Sequence, residues 1–356
     1  MVQNMIFDLL KELSLAFGPS GCENNITEII NRNINDYADE IHIDKMGNLT
    51  ALYRADNSKN SGKKIMIAAH MDEVGFMVTH IDDNGYLHFG LIGGIDPRVL
   101  CGRRVLIGDE NARINGVIIS KAIHLQNENE RKETTPISSM YIDIGAKNRE
   151  EAEKYAPKGT FGTFDSEYTF FGTDDSMIKA KALDDRLGCA VMCHILKRLR
   201  EENIRLNYDI YFSFTVREEI GFSGAGTAAF EIDPDKAIIL ESTAIGDIAD
   251  VPENAKVADI GKGGVISIVD NGTVYDRDFI NYSLIIGKKF NIKHQIKRYV
   301  SGGNDAAAIQ RVKNGSKVLA LSAPCRYLHT ASNVIAAEDV LSICDLLYHM
   351  IKFMEF

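Results

Sequence analysis

The segment Lys181-Ala-Leu-Asp184-Asp185-Arg186-Leu-Gly-Cys-Ala-Val-Met192 joins a mixed, extended stretch to an apolar helix, with two adjacent aspartates at the junction. Leu187, Val191, Ile195 and Leu199 recur at helical spacing, and Lys197, Arg198 and Arg200 fall in the last turn. Carboxylates at a helix start ordinarily serve as caps, because unpaired N–H groups and the helix dipole favour negative charge there. A sharper reading rests on position along the chain. Acids and imidazoles close apolar strands both before and after Asp184, so it could join them as a shared ligand.

Outward from this segment the chain alternates strands and helices. Lys64 to Ala69 is a short continuous apolar run, as in a buried strand, and ends in His70-Met-Asp72-Glu73. Tyr208 to Val216 stops at Arg217-Glu218-Glu219, and Lys236 to Leu240 stops at Glu241. Lys317 to Leu321 leads through a short loop to His329. Residues 5–17, 24–36, 276–290 and 337–354 read as helices, with two more starting near Gly221 and Ala306. An edge hairpin is expected over Glu40–Asp44 and Leu49–Tyr53, and further strands over Gly263–Val269 and His294–Val300. Asp56 to Gly62 reads as a polar loop.

Between residues 73 and 170 the texture changes to many short strands: Phe76–Ile81, Tyr86–Ile92, Arg104–Ile107, Arg113–Ile119, Met140–Ile144 and Thr163–Phe171. Gln126 to Thr135 is a charged stretch read as loop, and Asn148 to Tyr155 is the one expected helix. This pattern predicts a small β-barrel inserted at 73–170 into an α/β domain made of 1–72 and 171–356. Such an insertion costs little when its ends lie close together.

The chain has 356 residues and a formal net charge of −10, which argues against a nucleic-acid groove or an anionic membrane surface as the main partner. No run approaches 18 apolar residues, so no membrane span is expected. The amphipathic, acidic start is not that of a secretory signal, and six scattered cysteines suit reduced thiols in a cytoplasm.

Ligands of open α/β sheets collect beyond the carboxyl ends of the strands. Five segments thus offer two histidines and four carboxylates to one region: His70, Asp184, Glu218, Glu219, Glu241 and His329. Mixed imidazole and carboxylate donors suit zinc, cobalt or manganese. Two such ions can share a bridging carboxylate and activate water, provided another carboxylate stays free to take its proton. Adjacent Glu218 and Glu219 offer that division, since neighbours in an extended segment point different ways.

His70-x-Asp72, Leu183-Asp184-Asp185-Arg186, Arg217-Glu218-Glu219-x-Gly221, Gly302-Gly303-Asn304-Asp305 and Arg326-Tyr327-x-His329 resemble the signature segments of the glutamyl/tetrahedral aminopeptidases, in order from about residue 10 to 350. Some members of that family carry an endoglucanase label. The resemblance implies a phosphorylase/hydrolase-like α/β domain interrupted by a PDZ-like barrel, two divalent ions per subunit with zinc the first choice, short peptide substrates, and a dodecamer built from dimers. It further implies that Asp184 bridges the ions, Glu219 and His329 complete one site, and His70 and Glu241 complete the other. Glu218 would be the general base, Asp72 would orient His70, and Asp185 would shape the local backbone. Two departures stand out: Glu241 where many members carry Asp, and His329-Thr-Ala-Ser-Asn333 where many carry Pro and an acid soon after the His.

The rivals are a carboxypeptidase or N-deacylase on the same scaffold and a non-enzymatic binding protein. A glucanase fits less well, because it needs two opposed carboxyls and no imidazole ligands.

Overall fold

The computed structural model describes residues 2–56, 58 and 61–356. The loop reading of 56–62 therefore falls partly outside the described residues. Eight strands form one mixed sheet in the order Glu40–Ile43, Leu49–Tyr53, Asp209–Thr215, Lys64–His70, Lys236–Ala244, Lys317–Cys325, Gly264–Ile266 and His294–Ile296. The four strands from Asp209–Thr215 to Lys317–Cys325 run parallel, while Leu49–Tyr53 and Gly264–Ile266 flank them antiparallel. Ile65 to His70 are all buried, which is why this strand reads as a continuous apolar run rather than an alternating one.

Helix Leu183–Glu201 packs on Lys64–His70 and Lys236–Ala244 and against helix Ala337–Phe353. Its periodic residues Leu187, Val191, Ile195 and Leu199 have no exposed surface, and each contributes about 1.5–3 kcal/mol on burial. The chain opening that helix departs from the capping expectation. Asp184 (φ −93°, ψ 107°) and Asp185 (φ −119°, ψ 41°) are not helical, and the peptide between them is cis. Asp185 does the capping work, its Oδ1 accepting from Gly188 N at 2.9 Å.

Between the two runs of the large sheet, strands Gly75–Ile81, Leu87–Ile92, Met140–Asp143, Arg113–Ser120, Arg104–Gly108 and Phe161–Phe164 close into a barrel. It has its own core, including Phe76, Val78, Leu87, Val105, Ile107, Ile118 and Phe164. The turn after the first barrel strand forms because Asp82 Oδ1 accepts from the Asn84 and Tyr86 N–H groups while Gly85 adopts φ +88°.

Several expected boundaries move. Thr163–Phe171 is not one strand: Phe161–Phe164 closes the barrel, and Thr169–Phe171 joins a separate sheet with Met177–Ala180 and Asn333–Ala336. The polar break at Asp165–Ser166 separates them, with Ser166 donating to Ala331 O. Lys236–Ala244 continues through Glu241 instead of stopping before it, because its partner strand Lys317–Cys325 pairs with it over the full length. The strand from His294 ends at Ile296 rather than Val300. The charged stretch 126–135 holds a single turn, Glu128–Lys132, formed without apolar burial by a capping box of Asn127 and Glu130.

Candidate active site

The parallel register sets the chemistry-bearing residues level with one another. Thr215 pairs with His70, and Glu241 pairs with Ser322, so the chain turns away from the sheet at one common edge. His70 ends its strand, Glu218 and Glu219 follow Thr215 by three and four residues, and Glu241 projects from within its strand. His329 sits on the loop after Cys325, and Asp184 on the bend that opens the helix. All six meet there. A cleft of about 360 Å³ is lined by Asp184, Glu218, Glu219, Glu241 and His329, with His70 buried beneath. A larger cavity, about 690 Å³, lies at the opposite strand ends beside Lys236 and Lys317 and touches none of these groups.

Two clusters share one residue. His70 Nε2 is 3.4 Å from Asp184 Oδ1 and 3.5 Å from Glu241 Oε1. His329 Nε2 is 3.2 Å from Asp184 Oδ2 and 3.4 Å from Glu219 Oε2. Within each triad the potential ligand atoms lie within 4.8 Å of one another, a spacing that could hold a metal ion. Glu218 belongs to neither triad, its Oε2 standing 4.0 Å from His70 Nε2.

The supports are as specific as the donors. Asp72, fully buried, accepts from Ser20 Oγ at 2.6 Å, Glu218 N at 3.0 Å and Glu219 N at 3.2 Å. Its carboxylate is 3.5 Å from His70 Nδ1, while its backbone oxygen is closer at 3.1 Å. Asp72 thus fixes the Glu218-Glu219 turn as well as facing the imidazole. His329 Nδ1 contacts Gly94 O at 2.7 Å, so a loop of the barrel fixes a ring of the α/β domain. Ala182, Arg217, Phe222, Tyr327 and His329 all have φ between +52° and +60°, unusual for residues with a side chain. Such conformations persist where surrounding contacts over-determine them.

Crowded carboxylates dominate the electrostatics of the cluster. Burial lifts Glu219 to about 8 against the pull of His329. Burial and the charge of Asp184 push Glu241 well above the usual carboxylate range. Burial acts to lower His329, yet Asp184 and Glu219 beside it raise it to about 9. Asp184 goes the other way: burial opposes its charge, but His329 and His70 hold it well below its ordinary value.

A family model described as M42 glutamyl aminopeptidase matches residues 47–346. The chain belongs to this family. A lysyl aminopeptidase of Pyrococcus furiosus is 32% identical over 359 residues, covering 98% of this chain and 99% of that one. The TET aminopeptidase of Thaumarchaeota archaeon SCGC AB-539-E09 superposes with a TM-score of 0.94 at 30% identity, covering 99% and 97%. The TET1 peptidase of Pyrococcus horikoshii, which can assemble into a tetrahedron or a large octahedral shell, matches at TM-score 0.86 and 33% identity over 98% and 100%. As an M42 aminopeptidase the chain is a hydrolase acting on peptides.

Residues to which the sequence assigned no role brace this cluster. Glu73 is buried between Lys181 Nζ, at 2.6 and 2.8 Å, and Arg186 Nη2, at 3.5 Å, and accepts from Thr163 Oγ1 at 2.8 Å. Asn333 Oδ1 accepts from Leu183 N at 3.2 Å while its Nδ2 donates to Tyr327 O at 2.9 Å, linking the Asp184 bend to the His329 loop. Glu73, Lys181, Arg186 and Asn333 stand inside segments already quoted from the sequence, but nothing along the chain gives them a role; that role comes from the fold, which buries Glu73 between the two cations.

Proposed function

We propose that this chain is a metal-dependent aminopeptidase that removes N-terminal residues from short peptides, using two divalent ions held around a shared Asp184. The observation that carries this reading is the pair of three-residue clusters meeting at the two oxygens of one carboxylate. The donor set fits zinc, cobalt or manganese, zinc being the first choice. Asp184 Oδ1 and Glu219 Oε1 are buried with no hydrogen-bond partner among the described residues, an arrangement that a cation would satisfy. His70, Asp184 and Glu241 would hold one ion; Asp184, Glu219 and His329 the other. Such ions polarise a peptide carbonyl and lower the pKa of water.

The remaining groups have protonic and positional roles in this reading. Glu218, free of both triads, takes the proton of the attacking water on its carboxylate and passes it to the leaving amine. Asp72 holds His70 through Nδ1 and keeps Glu218 in place through its backbone N–H. Glutamate at 241 reaches one methylene further than the aspartate of many relatives and sets how that ion is coordinated. We further propose that 73–170 is a domain for assembly and substrate access inserted between 1–72 and 171–356, and that the chain forms a homo-oligomer, a dodecamer built from dimers. The behaviour of the P. horikoshii TET1 peptidase supports this. Among the described residues no helix is long and apolar enough to cross a membrane, and the six cysteines are free, which supports a cytoplasmic setting.

Metal analysis together with an aminoacyl-anilide panel tests the reading on chelated and reloaded protein. Two ions per chain and recovery of hydrolysis on reloading are expected. Inactivity of the reloaded protein on every anilide, with turnover of N-acylated amino acids, would transfer the chain to the deacylases.

A further inference from the structure

The segment Gly302-Gly303-Asn304-Asp305 supplies neither an ion ligand nor a proton acceptor to the reaction proposed above. Ser301 to Asn304 line the cleft, whereas Asp305 is 1% exposed and not part of its wall. Asp305 Oδ2 accepts from Thr215 Oγ1 at 2.6 Å, across 90 residues of chain. Burial pushes Asp305 up to about 6 against the pull of that hydroxyl, so at neutral pH the carboxylate accepts and Thr215 donates. Its Oδ1 is buried with no partner among the described residues. A buried carboxylate so sparsely bonded costs free energy that an apolar side chain would not.

Thr215 ends the strand Asp209–Thr215, level with His70 in the parallel register. Beyond it the chain turns through Arg217, at φ +58°, to Glu218. Acceptors on three separate segments hold this turn. Asn48 Oδ1 takes Val216 N at 3.0 Å, Asp72 takes Glu218 N at 3.0 Å and Glu219 N at 3.2 Å, and Asp305 takes the Thr215 hydroxyl. Of the three, only Asp305 adjoins the cleft wall in the chain. That wall is itself fixed: Asn304 Oδ1 accepts from Ala306 N at 2.9 Å, its Nδ2 donates to Tyr275 Oη at 3.0 Å, and Asn271 N donates to Gly302 O at 2.9 Å. A second contact joins the same two pieces. A Cβ on Gly303 would stand 3.6 Å from the Phe222 ring, and Phe222 N donates to Glu218 O at 3.1 Å.

We propose that Asp305 is a positioning residue: by holding Thr215 it sets where the Glu218 carboxyl stands and ties that base to the cleft wall Ser301–Asn304. This rests on the aminopeptidase reading, with Glu218 as its base. The wall against which a substrate lies and the group that takes the proton of water are then parts of one braced unit. Thr215 Oγ1 also lies 3.3 Å from Ala69 O, so without Asp305 the hydroxyl turns to the neighbouring strand and the tie to the wall is lost. A base displaced by about an ångström leaves substrate and ions bound but meets the attacking water badly, which costs turnover rather than binding.

The test measures kcat, KM and metal content for the metal-loaded enzyme and for Thr215→Val, Thr215→Ser and Asp305→Ala, each alone and combined with Glu218→Gln, on the anilide that the wild type turns over fastest. Thr215→Val keeps the shape and removes the hydroxyl, so kcat should fall about 10- to 100-fold while KM stays within about threefold and the metal content is unchanged. Thr215→Ser restores the donor and should return kcat to within about threefold of the wild type. Asp305→Ala combined with Thr215→Val should lose no more than the worse single variant, because both cut one hydrogen bond. In the Glu218→Gln background, Thr215→Val and Asp305→Ala should each change kcat by less than about threefold, because the group they position no longer takes a proton. Losses that multiply with that of Glu218→Gln overturn the proposal, as does loss of bound metal in Thr215→Val. A Thr215→Ser enzyme as slow as Thr215→Val also overturns it, and so does a Thr215→Val loss below about threefold. Where Asp305→Ala does not fold, the Thr215 variants decide by themselves. No hydrolysis of any anilide by the reloaded wild type would instead sink the aminopeptidase reading beneath it.

Discussion

Glu218 and Glu219 are neighbours with different surroundings. Glu219 Oε2 lies against His329, while Glu218 stands outside both triads with its carboxyl in the cleft. Replacing Glu218 with Gln keeps the shape and removes the proton acceptor, so kcat should fall about 100- to 10,000-fold. Metal content, read by mass spectrometry of the digested protein, should stay at the wild-type value. Asp184 and Glu241 differ in the number of clusters they serve. Asp184→Ala should lower the bound metal toward zero, whereas Glu241→Ala should leave one ion, because only the His70 cluster loses a donor. Equal losses in the two variants would contradict the shared-carboxylate arrangement.

At the scale of elements, the telling feature is the buried Glu73 with its two cations. Lys181 comes from the stretch before the Asp184 bend, Arg186 from the helix after it, and Thr163 from the barrel. Arg186 also donates to Leu13 O at 2.7 Å and Gly18 O at 3.0 Å, drawing in the N-terminal segment. Glu73→Ala leaves both cations without their carboxylate and should destabilise the protein by about 3–5 kcal/mol in denaturant unfolding at fixed protein concentration. Converting Lys181 to Met in that background should recover part of the loss. By contrast, breaking the exposed Arg32–Glu12 pair should cost about 0–1 kcal/mol. The elements themselves were largely legible, because their periods are set by burial: Leu187 to Leu199 at helical spacing, Ile65 to Ala69 as a continuous run. Asn333–Ala336 was not legible as a strand, since four residues carry no period and its pairing with Met177–Ala180 is non-local. The turn at Glu128–Lys132 escaped for the opposite reason, being held by caps and ion pairs rather than by an apolar face.

Across the whole molecule, the excess of buried acid links metal binding to proton release. Burial raises Glu219 from 4.5 to about 8, and Asp184 and Glu219 raise His329 from 6.5 to about 9 against the opposing effect of its own burial. In both cases the folded state binds more protons than the unfolded chain between the two values. Stability of the metal-free protein should therefore fall as pH rises from about 4.5 to 9. The depressed Asp184 acts oppositely, but only below the ordinary carboxylate range. Because the metal must displace these protons, its apparent affinity should rise over the same window. Calorimetric titration with zinc in buffers of different ionisation enthalpy checks this, and pH-independent binding without proton release would contradict it.

The sequence by itself determined the alternation of strands and helices, the change of texture at 73–170, and which acids and imidazoles stand at strand ends. Those features follow from local burial patterns, in which each residue's neighbours along the chain suffice. Only the tertiary structure decided that Asp184 leaves the helix while Asp185 caps it, that Asp72 fixes the Glu218-Glu219 turn, and that Gly94 of the barrel holds His329. The first turns on which of two adjacent aspartates points back to Gly188 N, a choice that helical spacing leaves open; the other two depend on atoms brought together from segments 146 and 235 residues apart, and no local period encodes such contacts.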